Sequence, residues 1–230
     1  MKLLAIDTVF DKCSVAIMID GNIVHLAEQT GKRQQTQQIL PMIDEALAAT
    51  NLTLNELDAL VFNRGPGAFS SIRINTAVIQ ALSVATDLPC VGVSSLQVLA
   101  QTGHEINNDD SHVYAVMDAR MSQVYIGEYQ LDESGIMQVV GSDKLPEGEG
   151  LLDYEQPTAQ PLTMIATMEE DLLTVQAEQT SVLNVQPTAG VLAKVGQAQF
   201  AKQGGVPAEE ALPVYLRNNA WKTLKEQGKK

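Results

Sequence analysis

Few aromatic residues, few cysteines and few histidines mark this chain of 230 residues. Aromatics make up only 4% of it, so a core must be built from aliphatic side chains, and the 45% hydrophobic content is enough to build one. The two cysteines, Cys13 and Cys90, stand far apart in apolar surroundings, which excludes a disulfide framework and a cysteine metal knuckle. The three histidines, His25, His104 and His112, form no pair at helical spacing, so a zinc or iron site built on such a pair is excluded. No Gly-x-Ser-x-Gly elbow and no Gly-Lys-Ser/Thr phosphate loop occurs, which removes the common hydrolase and P-loop readings. Positive charge is scarce as well. Fifteen bases against 28 acids give a net charge of -13, which opposes independent binding to a phosphate backbone. No window reaches the roughly 18 uninterrupted apolar residues of a membrane span, and the opening Met1-Lys2-Leu3-Leu4-Ala5-Ile6-Asp7 is too short in apolar length for a signal peptide. These absences predict a reduced, cytoplasmic protein without a metal or catalytic centre of its own.

What is present is an α/β pattern. Leu3–Ile6, Ser14–Ile19 and Ile23–Ala27 read as strands, with Asp20-Gly21 as a hairpin turn between the second and third. A helix is predicted from Gln34 to Thr50 on the apolar face Ile39, Leu40, Met42, Ile43, Ala46 and Leu47, with Pro41 predicting a kink or a late start. Leu60–Phe62 is a buried strand that runs into Gly65-Pro66-Gly67. That tripeptide reads as a tight turn before a helix, or as an anion-holding or assembly loop. A second helix spans Ser70–Thr86, Val91–Val93 is a strand, and Ser94 caps a helix to about Thr102.

The order then begins again. Val113–Met117 ends in Asp118, Val124–Tyr129 follows, and Asp132–Gly135 turns the chain into Ile136–Val140. Strand, Asp, strand, glycine turn and strand therefore occur twice, a weak internal repeat that predicts two related units. The expected division is residues 1–108, 109–212 and an extended basic tail, 213–230, holding Arg217, Lys222, Lys225, Lys229 and Lys230. Between Ser142 and Pro187 the prolines break the pattern. A strand over Leu162–Ala166 and a short helix over Glu169–Val175 are expected there, followed by a firmer helix over Thr188–Gln203, stopped by Gly204-Gly205.

Two places could carry function. Asp7, followed by Thr8, and Asp118 both end first strands, where paired carboxylates can organise a cation. The helix Ser70–Thr86 is the second. Its apolar residues spread around most of the cylinder, and Ala77, Ala81 and Ala85 recur at four-residue spacing. A surface helix needs one apolar stripe, so this one calls for a second neighbour besides its sheet.

Several colinear stretches resemble the TsaB (YeaZ) family. They are Leu4-Ala5-Ile6-Asp7-Thr8, Thr36-Gln37-Gln38-Ile39-Leu40-Pro41-Met42, Arg64-Gly65-Pro66-Gly67-Ala68-Phe69, Met117-Asp118-Ala119-Arg120-Met121 and Pro213-Val214-Tyr215-Leu216-Arg217-Asn218-Asn219. Gln35 stands where a family histidine is expected, and Ser70-Ser71 and Asn75 stand where the family carries a Thr-Gly pair and a glycine. The resemblance implies an actin-like ATPase (ASKHA, ribonuclease H-like) fold of two related units, each a mixed sheet flanked by helices. It implies a non-catalytic scaffold for TsaD, with the ATPase TsaE, in transferring threonylcarbamoyl to N6 of the adenosine beside the tRNA anticodon. It further implies a homodimer when alone, contact with tRNA only through the complex, and no resident cofactor, ATP or ADP binding being left open at a vestigial cleft of Asp7, Thr8 and Asp118. The interface it implies lies on the two long helices, at Thr36, Ile39, Leu40, Ile43, Leu47, Ile72, Arg73, Ala77, Gln80 and Ala81, beside Gly65, Pro66 and Gly67. Two alternatives stay open: an actin-like ATPase or small-molecule kinase using Asp7 and Asp118, and a self-assembling interaction protein.

Overall fold

The structure is a computed structural model that describes residues 1–30, 34–107, 111–141, 145, 147–153, 163–167 and 181–217. The chain opens as a meander of β1 (Lys2–Asp7), β2 (Lys12–Ile19) and β3 (Asn22–Thr30). Asp20 and Gly21 both take positive φ, 48° and 81°, the left-handed pair that a two-residue hairpin requires. Next come α1 (Gln35–Ala49), β4 (Ala59–Gly65), α2 (Phe69–Thr86), β5 (Cys90–Ser94) and α3 (Ser95–Ile106). Pro41 lies inside α1, which nonetheless begins at Gln35, so the late start does not occur. Ser94 caps α3 as expected, its Oγ accepting from the Leu96 N–H, and α3 runs four residues past its predicted end at Thr102. β1, β4 and β5 are parallel, and the sheet order is β3-β2-β1-β4-β5.

The second half repeats the plan. β6 (His112–Arg120), β7 (Gln123–Leu131) and β8 (Met137–Val139) form the meander; β9 (Glu149–Asp153), β10 (Thr163–Ala166) and β11 (Val182–Asn184) follow, then α4 (Ala189–Gln203). The order β8-β7-β6-β10-β11, with β10 and β11 parallel to β6, reproduces the first sheet strand for strand. β9 is extra and pairs with β7. Two sheets of one plan are what the repeated order of features anticipated, and the actin-like architecture is the one that the family resemblance implied. β10 falls on the expected Leu162–Ala166 strand, whereas β9 and β11 had no sequence signal. The helix expected over Glu169–Val175 lies outside the described residues, as do the lysines of the tail.

The layers follow from which faces are apolar. The inner face of the first sheet (Leu3, Ala5, Val61, Val91, Val93) and that of the second (Val113, Ala115, Tyr129, Ile165) share one core with α3 and α4. Although it comes late in sequence, α4 packs on β1, β2, β4 and β5, while α3 packs mainly on β6, β7 and β8. Close approach is enabled by missing side chains. A Cβ on Gly196 would lie 2.3 Å from Val61 Cγ1, and one on Gly103 would lie 2.5 Å from Ile165 Cδ1. Nine residues of α3, Ser95 to Gly103, are buried, as befits a helix enclosed between layers. The opposite face of the first sheet packs on α1 and α2 through Leu4, Ile6, Leu60, Phe62, Ile39, Met42, Ile43 and Ile79. Among the described residues no helix is long and apolar enough to cross a membrane.

Candidate functional site

The ends of β1 and β4 meet in a buried polar network. Asp7 is 2% exposed, with Oδ1 accepting from the Val9 N–H at 2.7 Å and Oδ2 from the Asn63 side-chain amide at 2.9 Å. Asn63 Oδ1 in turn accepts from the Gly65 N–H and from Ser95 Oγ, at 3.0 and 2.6 Å. Asn75, 0% exposed on α2, donates to the Asn63 carbonyl, and Thr8 Oγ1 lies within hydrogen-bond distance of both Ser71 O and Asn75 Oδ1. Burial pushes the Asp7 carboxyl up to about 6, against the downward pull of Asn63, the Val9 N–H and Lys12. Both of its oxygens are engaged by the protein, so Asp7 acts as the anchor of a strand-to-helix joint. Asn75 supplies the link to α2.

Asp118 sits in a different setting. Its Oδ1 accepts from the Arg120 N–H and its Oδ2 lies 3.1 Å from the Arg120 guanidinium, within a β6–β7 turn where Arg120, Met121 and Ser122 all have φ between 57° and 65°. Residues 212–217 form a strap from the end of β4 to this turn. The Val214 N–H donates to the Arg64 carbonyl, and the Arg217 guanidinium donates to the carbonyls of Ala119 and Arg120 at 3.0 and 3.1 Å. Arg217 therefore ties the tail to the chain itself. Among the described residues no three His, Cys, Asp or Glu side chains gather to hold a metal ion. Cavities of about 720 and 310 Å³ lie elsewhere, and neither is lined by Asp7, Thr8 or Asp118.

In the loop before α2, Gly65 and Pro66 are buried. A Cβ on Gly67 would lie 2.4 Å from Val9 Cγ1, so the loop is held against the β1–β2 connection.

The helical face is the other candidate. Toward the sheet α2 buries Ser71, Ile72, Asn75, Thr76, Ile79 and Ser83, four of them able to hydrogen-bond through uncharged polar groups and bonded within the fold through Thr76 Oγ1 to Ile72 O, Ser83 Oγ to Leu88 O and the Asn75 network. Outward it presents Phe69, Arg73, Ala77, Ala81, Val84 and Ala85, with Val84 73% exposed. The helix thus buries polar residues beside Ile72 and Ile79 and exposes apolar ones beside Arg73, so apolar surface lies on both of its sides, unlike the single stripe of an ordinary surface helix. Alongside it, α1 exposes Thr36, Leu40 (51%) and Pro41. At the start of α2 the Arg73 guanidinium lies 3.8 Å over the Phe69 ring, and Phe69 and Tyr215 rings are 5.7 Å apart, so the strap continues this surface.

The ten expected interface residues separate in the structure. Ile39, Ile43, Leu47 and Ile72 are 1%, 2%, 8% and 1% exposed and belong to the chain's own core, because each lies on the side of its helix that meets the sheet. Gln80 is half-buried, its amide donating to the Ala211 carbonyl. Thr36, Leu40, Arg73, Ala77 and Ala81 remain on the surface. Sequence reasoning did not single out Asn63 or Phe69 for this region, whereas Val84 is one of the apolar residues whose spread around α2 drew attention to the helix.

The sequence model of the family described as TsaD, tRNA N6-adenosine threonylcarbamoyltransferase, matches residues 28–222. The tRNA threonylcarbamoyladenosine biosynthesis protein TsaB of Escherichia coli K12 is 36% identical over 97% of this chain and 98% of its own length. The protein of the same description from Haemophilus influenzae is 32% identical over 97% of each chain. The solved structure of YeaZ from Pseudomonas aeruginosa superposes with a TM-score of 0.83 at 34% identity, covering 94% of this chain and 99% of that one.

Proposed function

The chain belongs to the TsaB (YeaZ) family, within the wider TsaD family, and on that premise we propose that it is a non-catalytic, protein-binding subunit in tRNA threonylcarbamoyladenosine biosynthesis. Its partner is TsaD, whose transfer reaction it supports as a scaffold in the cytoplasm, with TsaE joining the pair. The observation that carries the reading is the outward face of α2, where Phe69, Ala77, Ala81, Val84 and Ala85 stand exposed beside Leu40 of α1. Phe69, Val84 and Leu40, which are 49%, 73% and 51% exposed, would each contribute about 1–2 kcal/mol on being covered, before the cost of association. The small side chains of Ala77, Ala81 and Ala85 let a partner helix approach the backbone of α2 closely. In the absence of TsaD a second copy would cover the same face as a homodimer.

Catalysis by an ATPase or kinase using Asp7 and Asp118 draws less support, because Asn63 and the Val9 N–H already engage both oxygens of Asp7. Light scattering on the purified chain mixed with TsaD tests the proposal. A species with the summed mass of the two is expected, and separate peaks at micromolar concentrations of both would overturn it.

A further inference from the structure

At the β5 edge of the first sheet, away from β3, a cavity of about 310 Å³ lies between β5, the end of α4 and the start of the strap. Phe62, Cys90 and Leu212 give it apolar walls, Gln199 and Gln203 polar ones, and Arg64 its single positive charge among the described lining residues. Arg64 is half-buried, and its Nε is sealed from solvent without a hydrogen-bond partner. Among the described residues no group accepts from the rest of its guanidinium either, and no carboxylate pairs with it. A guanidinium carries five donors and no acceptor, so a partly buried one is ordinarily met by a carboxylate or carbonyl. Glu149, the nearby acid of the second sheet, accepts from Ser94 Oγ at 2.5 Å and from the Tyr129 hydroxyl through Oε1, and the charge of Arg64 reaches this Tyr129 without a direct bond to it.

The seat of Arg64 is built for it. A Cβ on Gly92 would lie 3.2 Å from Arg64 Cδ and 3.1 Å from Phe62 Cζ, so the missing side chain at that position gives the arginine stem its place. The strand supplies a second donor. Cys90 turns both its N–H and its carbonyl outward, to Val206 at 2.8 and 2.9 Å. Peptide groups alternate along a strand, so Gly92, two residues further on, turns its own N–H to the same edge, where it lines the cavity.

We propose that this cavity is a binding site for a small monocarboxylate. The carboxylate is held by the planar fork of Arg64, with the Gly92 N–H as a further donor, and the hydrocarbon part lies against Phe62 and Leu212. Arg64 and the Glu210 carboxylate, which line the same cavity, offset one another in charge, so the ligand is held by the geometry of the fork and a single negative charge is favoured over two. That carboxylate and the chain's net charge of -13 disfavour a doubly charged phosphate. The volume stands at the small end of ligand pockets, roughly 300–1,000 Å³, which suits a compact metabolite. The site is independent of the partner-binding reading, since neither Ala77 nor Ala81 lines it.

The test is a titration of the ¹⁵N-labelled full chain with sodium acetate, read at the Arg64 Nε–H and Gly92 N–H signals, against sodium chloride and inorganic phosphate at matched ionic strength. Saturable shifts of both signals with acetate alone are expected. Arg64→Gln, which keeps most of the stem, should weaken acetate at least tenfold, and Arg64→Lys, which keeps the charge but loses the fork, should weaken it several-fold. If Arg64→Gln does not give a folded spectrum, Arg64→Lys carries the comparison. Equal shifts with chloride, tighter binding of phosphate than of acetate, or unchanged acetate affinity in the folded variants would overturn the proposal.

Discussion

Replacing Ala81 by arginine separates a partner face from an ordinary helix surface. Ala81 is exposed on the outer side of α2, one turn from Ala77 and Ala85 and beside Val84, which is 73% exposed. In the isolated chain the arginine reaches water, so its cost is a few tenths of a kcal/mol in helix propensity, within the roughly 0.5 kcal/mol range of surface substitutions. For a chain of this length that moves Tm by no more than about 2 °C. In a complex that covers α2 the same guanidinium loses water with no carboxylate placed to meet it. An unmatched interface charge costs about 2–5 kcal/mol, which is roughly 30-fold or more in Kd. The assay pairs a circular-dichroism melt of Ala81→Arg with calorimetric titration into TsaD, and sedimentation of the chain alone reads the homodimer. Ile79→Arg is the contrasting variant. Ile79 is 0% exposed, so a charge there should destabilise the fold itself. The reasoning is refuted if Ala81→Arg melts with Ile79→Arg, or if it binds TsaD as tightly as the parent chain.

Two further outcomes are expected. Burial pushes the Asp7 carboxyl up to about 6, from 3.8 for a carboxyl in water, so the native state binds the proton more tightly than the unfolded chain does. Stability from this group is then fully present below the unfolded value and is lost as pH rises through about 6, a difference of about 3 kcal/mol; urea midpoints of Asp7→Asn and the parent chain between pH 3.5 and 7 should show that slope in the parent only, and parallel curves would refute it. Gly196→Ala should lower stability by about 1–3 kcal/mol in urea denaturation, because its Cβ would sit 2.3 Å from the buried Val61 Cγ1; a more stable variant would mean that α4 does not rest on β4 as described.

Much of this molecule is set by local sequence. Asp20-Gly21 determines the first hairpin because only residues tolerant of positive φ close a two-residue turn in the right sense. Ser94 and Thr188 start their helices by accepting backbone N–H groups, of Leu96 and Val191, and the repeated order of strands and glycine turns forecasts two sheets of one plan. The fold's outline and the family were legible from these features and from the colinear motifs. Short-range pattern could not disclose β9 and β11, because strands of five and three residues carry too few side chains to show alternation and are held by their neighbours β7 and β10.

The candidate site divides in the same way. Its sequence says that α2 is apolar around most of its circumference, and for that reason cannot say which side meets the sheet, since a helix without a single stripe has no preferred facing. Tertiary structure decided it, by tying Asn75 to Thr8 and to Asn63 on the inner side and leaving Ala77, Ala81 and Val84 outside. It likewise assigned Ile39, Ile43, Leu47 and Ile72 to the core, tied Asp7 to Asn63 across 56 residues of chain, and fastened Arg217 to the β6–β7 turn. Those pairings join residues far apart in sequence, and the physical chemistry that fixes them, burial and the pairing of polar groups within it, exists only once the sheets and helices have closed on each other.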